Sequence, residues 1–281
     1  MMRKKSTEKI VNNILTYVIY IFGALFVIIP VLWMVSTSLK TEPETFSIPP
    51  KWIPETITLA SYKAMWTEYP FAYYFRNSLL VTVGTVLIAV AISCLTGYGT
   101  TRFRFKGKNA FLGFVLMTQM FPSVMLLIPY YKVLNTYHLN NTLIGLSLVY
   151  ISFTVPFCSW MMVGYYKTIP LDLDEAAIID GCSRWQVFHK ITIPMVMPGI
   201  ASSAIYAFIT CWNEYMFANL LMADEQMKTV SVGIAQLNGY YKIMWNHLMA
   251  SSVVASVPLV VAFIFLQKYF IAGLTAGAVK S

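Results

Sequence analysis

A single acid inside an apolar run is the first residue of this sequence that could do chemistry. Glu214 stands in Trp212-Asn213-Glu214-Tyr215, near the far end of a run from Val196 to Phe217. An ionisable group within a membrane-length apolar stretch is costly and is usually kept for function. Its carboxylate could hydrogen-bond solute hydroxyls, close a gate, or pair with a base of a partner subunit. The structural alternative is a hydrogen bond that pins helices together. Trp212 and Tyr215 could be flat platforms for a sugar-like ring, but belt residues at a membrane–water boundary are the preferred reading. Asn213 could line a path beside them. Gln119, with Pro122 one turn on, is the other polar interruption, either lining a path or satisfied between helices. His138, His189 and His247 have no ligand-like neighbours, so no metal is assigned. Cys94, Cys158, Cys182 and Cys211 lie far apart, match no zinc or disulfide spacing, and read as small buried hydrophobes. There is no GxxxxGK[ST] loop, so the chain is not expected to bind ATP itself. There is also no cluster of catalytic side chains near one bilayer face, so an enzyme is not expected.

The elements that must hold these residues are membrane helices. The 281 residues are 58% hydrophobic and only 11% charged, with a mean hydropathy of +0.63. Soluble domains carry about 25% charged residues, so lipid has to cover much of this surface. The first apolar run, about 14–35, exceeds a cleavable signal core and reads as a retained span, with Pro30 suggesting a kink or break. Further spans are expected at about 79–95, 111–129 (with internal Pro122), 143–163, 196–217 and 248–266, each near the ~20 residues that cross a bilayer. None alternates like a strand, so the spans are helices rather than a barrel. Gly84, Ala89, Ala91 and Ser93 should let the second span pack closely. The expected organisation is 1–36 as tail and first span, 37–75 as an extracytoplasmic linker, 76–266 as the core bundle, and 267–281 as a C-terminal tail.

The net charge of +8 does not point to nucleic acid, because the bases sit in short gaps between apolar runs. Arg3, Lys4, Lys5, Lys9, Arg102, Arg104, Lys106, Lys108, Lys167, Arg184, Lys190, Lys268 and Lys280 share one side of a six-span layout. Lys40, Lys51, Lys63, Arg76, Lys132, Lys228 and Lys242 are spread over longer linkers on the other. By the positive-inside bias both termini are cytoplasmic. Glu214 lies sixteen residues beyond Pro198, a rise of ~24 Å at 1.5 Å per residue, which puts it toward the outer half of the bilayer.

The cytoplasmic segment 168–194 is too polar to span and too regular to be a loose loop. Asp172 and Glu175 fit a capping box opened after Pro170. Ala176 and Ala177 carry the helix on, and Gly181 can take the left-handed conformation that ends it. Ser183 and Gln186 form a second box, and Trp185, Phe188 and Ile191 then recur every three residues up to Pro194. The face so formed either packs on its own bundle, lies in the headgroup layer, or docks a cytoplasmic partner.

Glu175-Ala176-Ala177, then Gly181, Ile191 and Pro194, resemble the cytoplasmic EAA loop of ABC importer permeases. Pro170-Leu171-Asp172, Asp174, Asp180 and Phe188 resemble the binding-protein-dependent sugar permease branch, which includes the smaller permease of the maltose transporter. Trp212-Asn213-Glu214-Tyr215 and the tail Gln267-Lys268-Tyr269-Phe270, Gly273-Leu274-Thr275 and Gly277-Ala278-Val279-Lys280 resemble the same branch, so the likeness spans the whole chain. It implies an all-α, six-span permease bundle of the type I ABC importer kind, in a bacterial or archaeal cytoplasmic membrane. A second permease would complete the translocation path, and two ATPase subunits binding ATP and magnesium would receive Asp174, Glu175, Ala176, Ala177, Asp180, Gly181, Phe188, Ile191 and Pro194. An extracytoplasmic solute-binding protein would deliver a carbohydrate, most naturally an oligosaccharide. Glu214, Asn213, Trp212 and Gln119 are the expected pathway or gate residues. Cys182 stands where alanine is typical, and Ala272 where the tail often has a base, which weakens any polar contact expected of the tail. The rival class is a secondary transporter run by an ion gradient, for which Glu214 is the one intramembrane acid on offer. A scaffold that merely assembles a complex is a further alternative.

Overall fold

The computed structural model describes residues 2–238 and 243–278; Lys242 and the Val279-Lys280 end of the tail lie outside the described residues. Every regular element among them is helical, with one isolated antiparallel bridge between Asn238 and Ile243. In chain order the elements are α1 (Met2–Ser38), α2 (Glu42–Thr45), α3 (Ala60–Thr67), α4 (Phe71–Arg102), α5 (Lys108–Met117), α6 (Leu127–Thr136) and α7 (Leu143–Lys167). They continue with α8 (Leu171–Ile179), α9 (Arg184–Gln186), α10 (Ile193–Met195), α11 (Met197–Trp212), α12 (Met216–Leu221), α13 (Val230–Gln236) and α14 (Trp245–Ala278).

Four stretches are long and apolar enough to cross a membrane: Asn12–Ser38, Phe71–Arg102, Leu143–Lys167 and Trp245–Tyr269. Two more are bent pairs. Lys108–Met120 and Ser123–Thr136 meet at 92°, and Arg184–Met195 and Met197–Trp212 meet at 74°. Of the six spans expected, four are single helices, and the count reaches six if each bent pair is one span. The third run breaks where Pro122 removes a donor and restricts Phe121 to extended backbone (φ −76°, ψ 124°). Pro30, by contrast, leaves α1 helical throughout. α4 begins at Phe71, inside the stretch expected as linker, and α14 carries the last span on through 267–278 as one helix.

Residues 1–69 and 236–254 form one compact unit and residues 70–235 and 255–281 another. In the first, the chain after α1 folds back on itself. Lys40 is buried with its ammonium 4.2 Å over the Trp33 ring, and it donates to the Lys51 carbonyl at 2.5 Å. Burial pushes the Lys40 ammonium below the ordinary lysine range, partly offset by Glu44.

In the second unit α4 and α7 share the most extensive helix interface, and α11 joins both. Ala89, Ser93 and Gly97 recur every four residues on α4, so they fall on one face, and all three are buried. A Cβ at Gly97 would lie 2.6 Å from Cδ2 of Tyr166, and one at Gly199 would lie 2.5 Å from Cγ of Tyr165, so glycine sets both approaches. Gly84 and Ala91 lie off this stripe: nothing lies within 4 Å of a Cβ at Gly84, and Ala91 is exposed. Beyond the helix ends the backbone is stitched by side chains. The Asn141 amide donates to Asp224 Oδ2 (2.6 Å), and the Asp224 N–H donates to Asn141 Oδ1 (3.1 Å). Asn77 donates to the carbonyls of Gln226 and Lys228.

Candidate functional site

Glu214 lies not inside a helix but in a break between two. The Asn213 amide folds back to the Ile209 carbonyl (3.0 Å) as α11 ends at Trp212, and α12 starts at Met216. One Glu214 oxygen accepts the Phe217 N–H (2.8 Å). The other accepts the Ala218 N–H (3.0 Å) and the hydroxyl of buried Tyr150 (2.7 Å). The carboxylate therefore caps α12, where the open N–H groups and the helix dipole favour a negative charge. Its backbone carbonyl accepts from Ser231. Of the readings open for Glu214, the helix-pinning one has the contacts. The hint in the sequence is an acid just ahead of the short apolar run Met216–Leu221, which reads as a helix start rather than the tail of a span.

The same break opens on a cavity of about 950 Å³. Asn213, Glu214 and Tyr215 line it, with Gln119, Ser152 and Thr210, among phenylalanine and tyrosine rings. Gln119 fits both of its expected readings, since it faces the cavity while its amide donates to the Phe153 carbonyl at 3.2 Å. Trp212 does not join them. It is 4% exposed, stacks on Phe208, and donates its indole N–H to the Ala255 carbonyl at 3.0 Å. The belt reading of Trp212 is corrected accordingly: a buried indole needs an acceptor, and α14 supplies one.

The second constellation is the helix pair of 168–194. α8 starts two residues earlier than expected. Pro170 takes the N-cap position with extended backbone (φ −57°, ψ 140°), so Asp172 falls within the first turn and makes no cap bond. The Asp172–Glu175 box is therefore corrected; proline's fixed φ opens the helix directly. At the other end Gly181 adopts φ +89°. The Gly181 N–H donates to the Ile178 carbonyl and the Cys182 N–H to the Ala177 carbonyl, both at 3.0 Å, a Schellman ending. The Ser183–Gln186 box closes reciprocally, as expected.

Past it the helix widens into a π-turn over Val187–Thr192, and this overturns the three-residue repeat. Val187, Phe188 and Thr192 are buried, Ile191 is half-buried, and Trp185 is 63% exposed. Phe188 packs on Tyr98 with ring centroids 4.9 Å apart. The bend into α11 falls at Val196, two residues past exposed Pro194.

Most of α8 is exposed: Asp174 and Ala177 face inward and are buried, whereas Glu175, Ala176, Asp180 and the apolar Leu171, Leu173, Ile178 and Ile179 face out, Ile179 at 85% exposure. Asp174 is held by Arg102 at the end of α4: Oδ2 lies 2.8 Å from Nε, with both side chains under a tenth exposed. Arg102 stands in the sequence as one of four loop bases, and nothing in its spacing marks it as the partner of Asp174.

Broken membrane helices around a cavity of aromatic rings with a few polar groups, joined to an exposed helix pair, are arranged as in a membrane transport component. The profile of the family described as "Binding-protein-dependent transport system inner membrane component" matches residues 89–275. The chain is 35% identical over 276 residues to the trehalose/maltose transport system permease protein of Thermococcus litoralis, covering 97% of this chain and 99% of that one. It is 30% identical over 279 residues to the diacetylchitobiose uptake system permease protein of Streptomyces coelicolor, covering 99% and 100%. In fold it matches a chain of a bacterial ABC transporter involved in the import of the acidic polysaccharide alginate, with TM-score 0.80, 20% identity, and coverage of 92% and 96%. The chain belongs to the binding-protein-dependent transport system inner membrane component family, and it is the permease part of an ABC importer rather than its catalytic subunit.

Proposed function

We propose that this permease carries a carbohydrate, most naturally an oligosaccharide, and that segment 168–194 couples it to a cytoplasmic ATPase. The reading includes six spans, each bent pair counting as one, with both termini cytoplasmic in a bacterial or archaeal membrane. A second permease completes the path, two ATPase subunits hold ATP and magnesium, and an extracytoplasmic binding protein delivers the solute. The observation that carries the coupling role is the exposed surface of α8. With only Asp174 and Ala177 turned inward, Leu171, Ile178 and Ile179 stand bare beside Glu175, a mixed face suited to another protein. Glu175, Ala176, Asp180 and Gly181 lie on or beside that face, and Phe188, Ile191 and Pro194 set its angle to the bundle. On the solute side, rings mixed with amide and hydroxyl groups suit sugar faces and hydroxyls. Asn213, Glu214 and Gln119 line this cavity, and Trp212 supports it from behind. The named relatives handle trehalose, maltose and diacetylchitobiose, and an alginate neighbour was solved with its pentasaccharide-bound periplasmic protein. An ion-gradient mechanism would need Glu214 free for a coupling ion, and its oxygens already accept three hydrogen bonds.

Purification from native membranes in mild detergent tests the assembly. The wild-type chain should bring a second permease and an ATPase, and Gly181→Asp should lose the ATPase while the bundle stays folded. A side chain at φ +89° costs ~1–2 kcal/mol, and the added charge sits on the docking face. A wild-type chain that came out alone and moved solute without ATP would overturn the proposal. For the topology, Lys106→Cys should react with a membrane-impermeant thiol label only from the cytoplasmic face.

A further inference from the structure

Arg102 has a place in the structure that its position in a basic run does not suggest. Its side chain is 5% exposed, and one guanidinium meets α8, the end of α7 and the turn between them. Nε lies 2.8 Å from Asp174 Oδ2 on α8, one terminal nitrogen donates to the Tyr166 carbonyl at the end of α7 (3.3 Å), and the other donates to the Ile169 carbonyl just beyond it (3.2 Å). A second link supports the same junction, the Tyr98 hydroxyl of α4 donating to the Arg184 carbonyl at 3.5 Å.

The pair is poorly built for stability alone. The Nε approach is close but off the N–H axis, so it is an ion pair without an aligned hydrogen bond, and Asp174 Oδ1 accepts no hydrogen bond among the described residues. A buried ion pair with an unsatisfied oxygen contributes little to folding, and an apolar pair of like volume commonly does better. What it does supply is direction: it fixes α8 to the end of α4, the helix that packs most extensively on α7.

We infer that Arg102 is a positioning residue for energy coupling, handing displacement of α8 to α4 and α7 through Asp174. The inference rests on the docking role proposed for α8. It is tested on the whole complex in proteoliposomes, comparing wild type with R102M, D174N and the double variant R102M/D174L. The readouts are ATPase co-purification, ATP hydrolysis, and solute moved per ATP hydrolysed. The double variant leaves no unpaired charge, so it keeps the protein folded and the ATPase bound even where R102M fails to assemble. In the complex that assembles, solute moved per ATP hydrolysed should fall roughly tenfold whatever the absolute rate of hydrolysis, within the 5–150-fold span of coupled sites. D174E, which retains the charge, should recover part of the ratio. A double variant with the wild-type ratio would overturn the inference, since the pair would then only hold the fold. Wild-type complex that moves solute without ATP would instead sink the docking role itself.

Discussion

At the scale of single residues, Glu214 shows how an intramembrane acid can be kept for architecture. Its oxygens are occupied by the Phe217 and Ala218 N–H groups and by the Tyr150 hydroxyl. Glu214→Gln puts an amide donor against one of those donors. It should therefore lower the stability of the purified complex by ~1–2 kcal/mol, read as a lower Tm, with uptake per folded complex largely preserved. Tyr150→Phe should cost ~1 kcal/mol, and the two changes together less than their sum. Unchanged stability with abolished uptake would mean that the carboxylate meets the solute instead. Residue type alone singled out Glu214, Asn213 and Gln119, because polar groups stand out in an apolar run. The sequence could not say which of their atoms are already taken. Arg102 and Asp174 escaped notice as a pair because the contact spans 72 positions, and each has an ordinary local explanation as a loop base and a first-turn acid.

At the scale of elements, glycines on α4 separate packing from mere smallness. Gly97→Ala sets a methyl 2.6 Å from the ring of fully buried Tyr166, which has no room to withdraw. It should cost ~1–3 kcal/mol. Gly84→Ala meets open space and should be neutral or stabilising by up to ~1 kcal/mol through helix propensity. Thermal unfolding of the two variants side by side checks the contrast; equal Tm values would mean that α4 and α7 are not this close. The existence of the helices was legible from apolar length, and so were the αL turn at Gly181 and the Ser183 box, because those signals are local. The 92° and 74° breaks were not legible as bends. A proline marks where a helix can yield, as Pro30 and Pro122 show, and tertiary packing decides whether it does. The π-turn over Val187–Thr192 likewise displaces a face that a three-residue repeat had seemed to fix.

At the scale of the whole molecule, composition alone demanded a lipid environment, and the bias of bases toward one set of gaps predicts an orientation. What composition could not give is the distinction between apolar surface meant for lipid and apolar surface meant for protein, because both read as the same residue types. In α8 Asp174 is buried and Ile179 is left bare. Trp185 stands bare in the next helix. One consequence concerns the life of the subunit before it transports anything. A newly inserted copy that has met no ATPase shows that patch to water, the kind of surface that aggregation and cellular proteolysis act upon. An ATPase docked on α8 as proposed would hide it. On that reading the face that receives force would also mark the orphan and tie the abundance of this subunit to the supply of its partner.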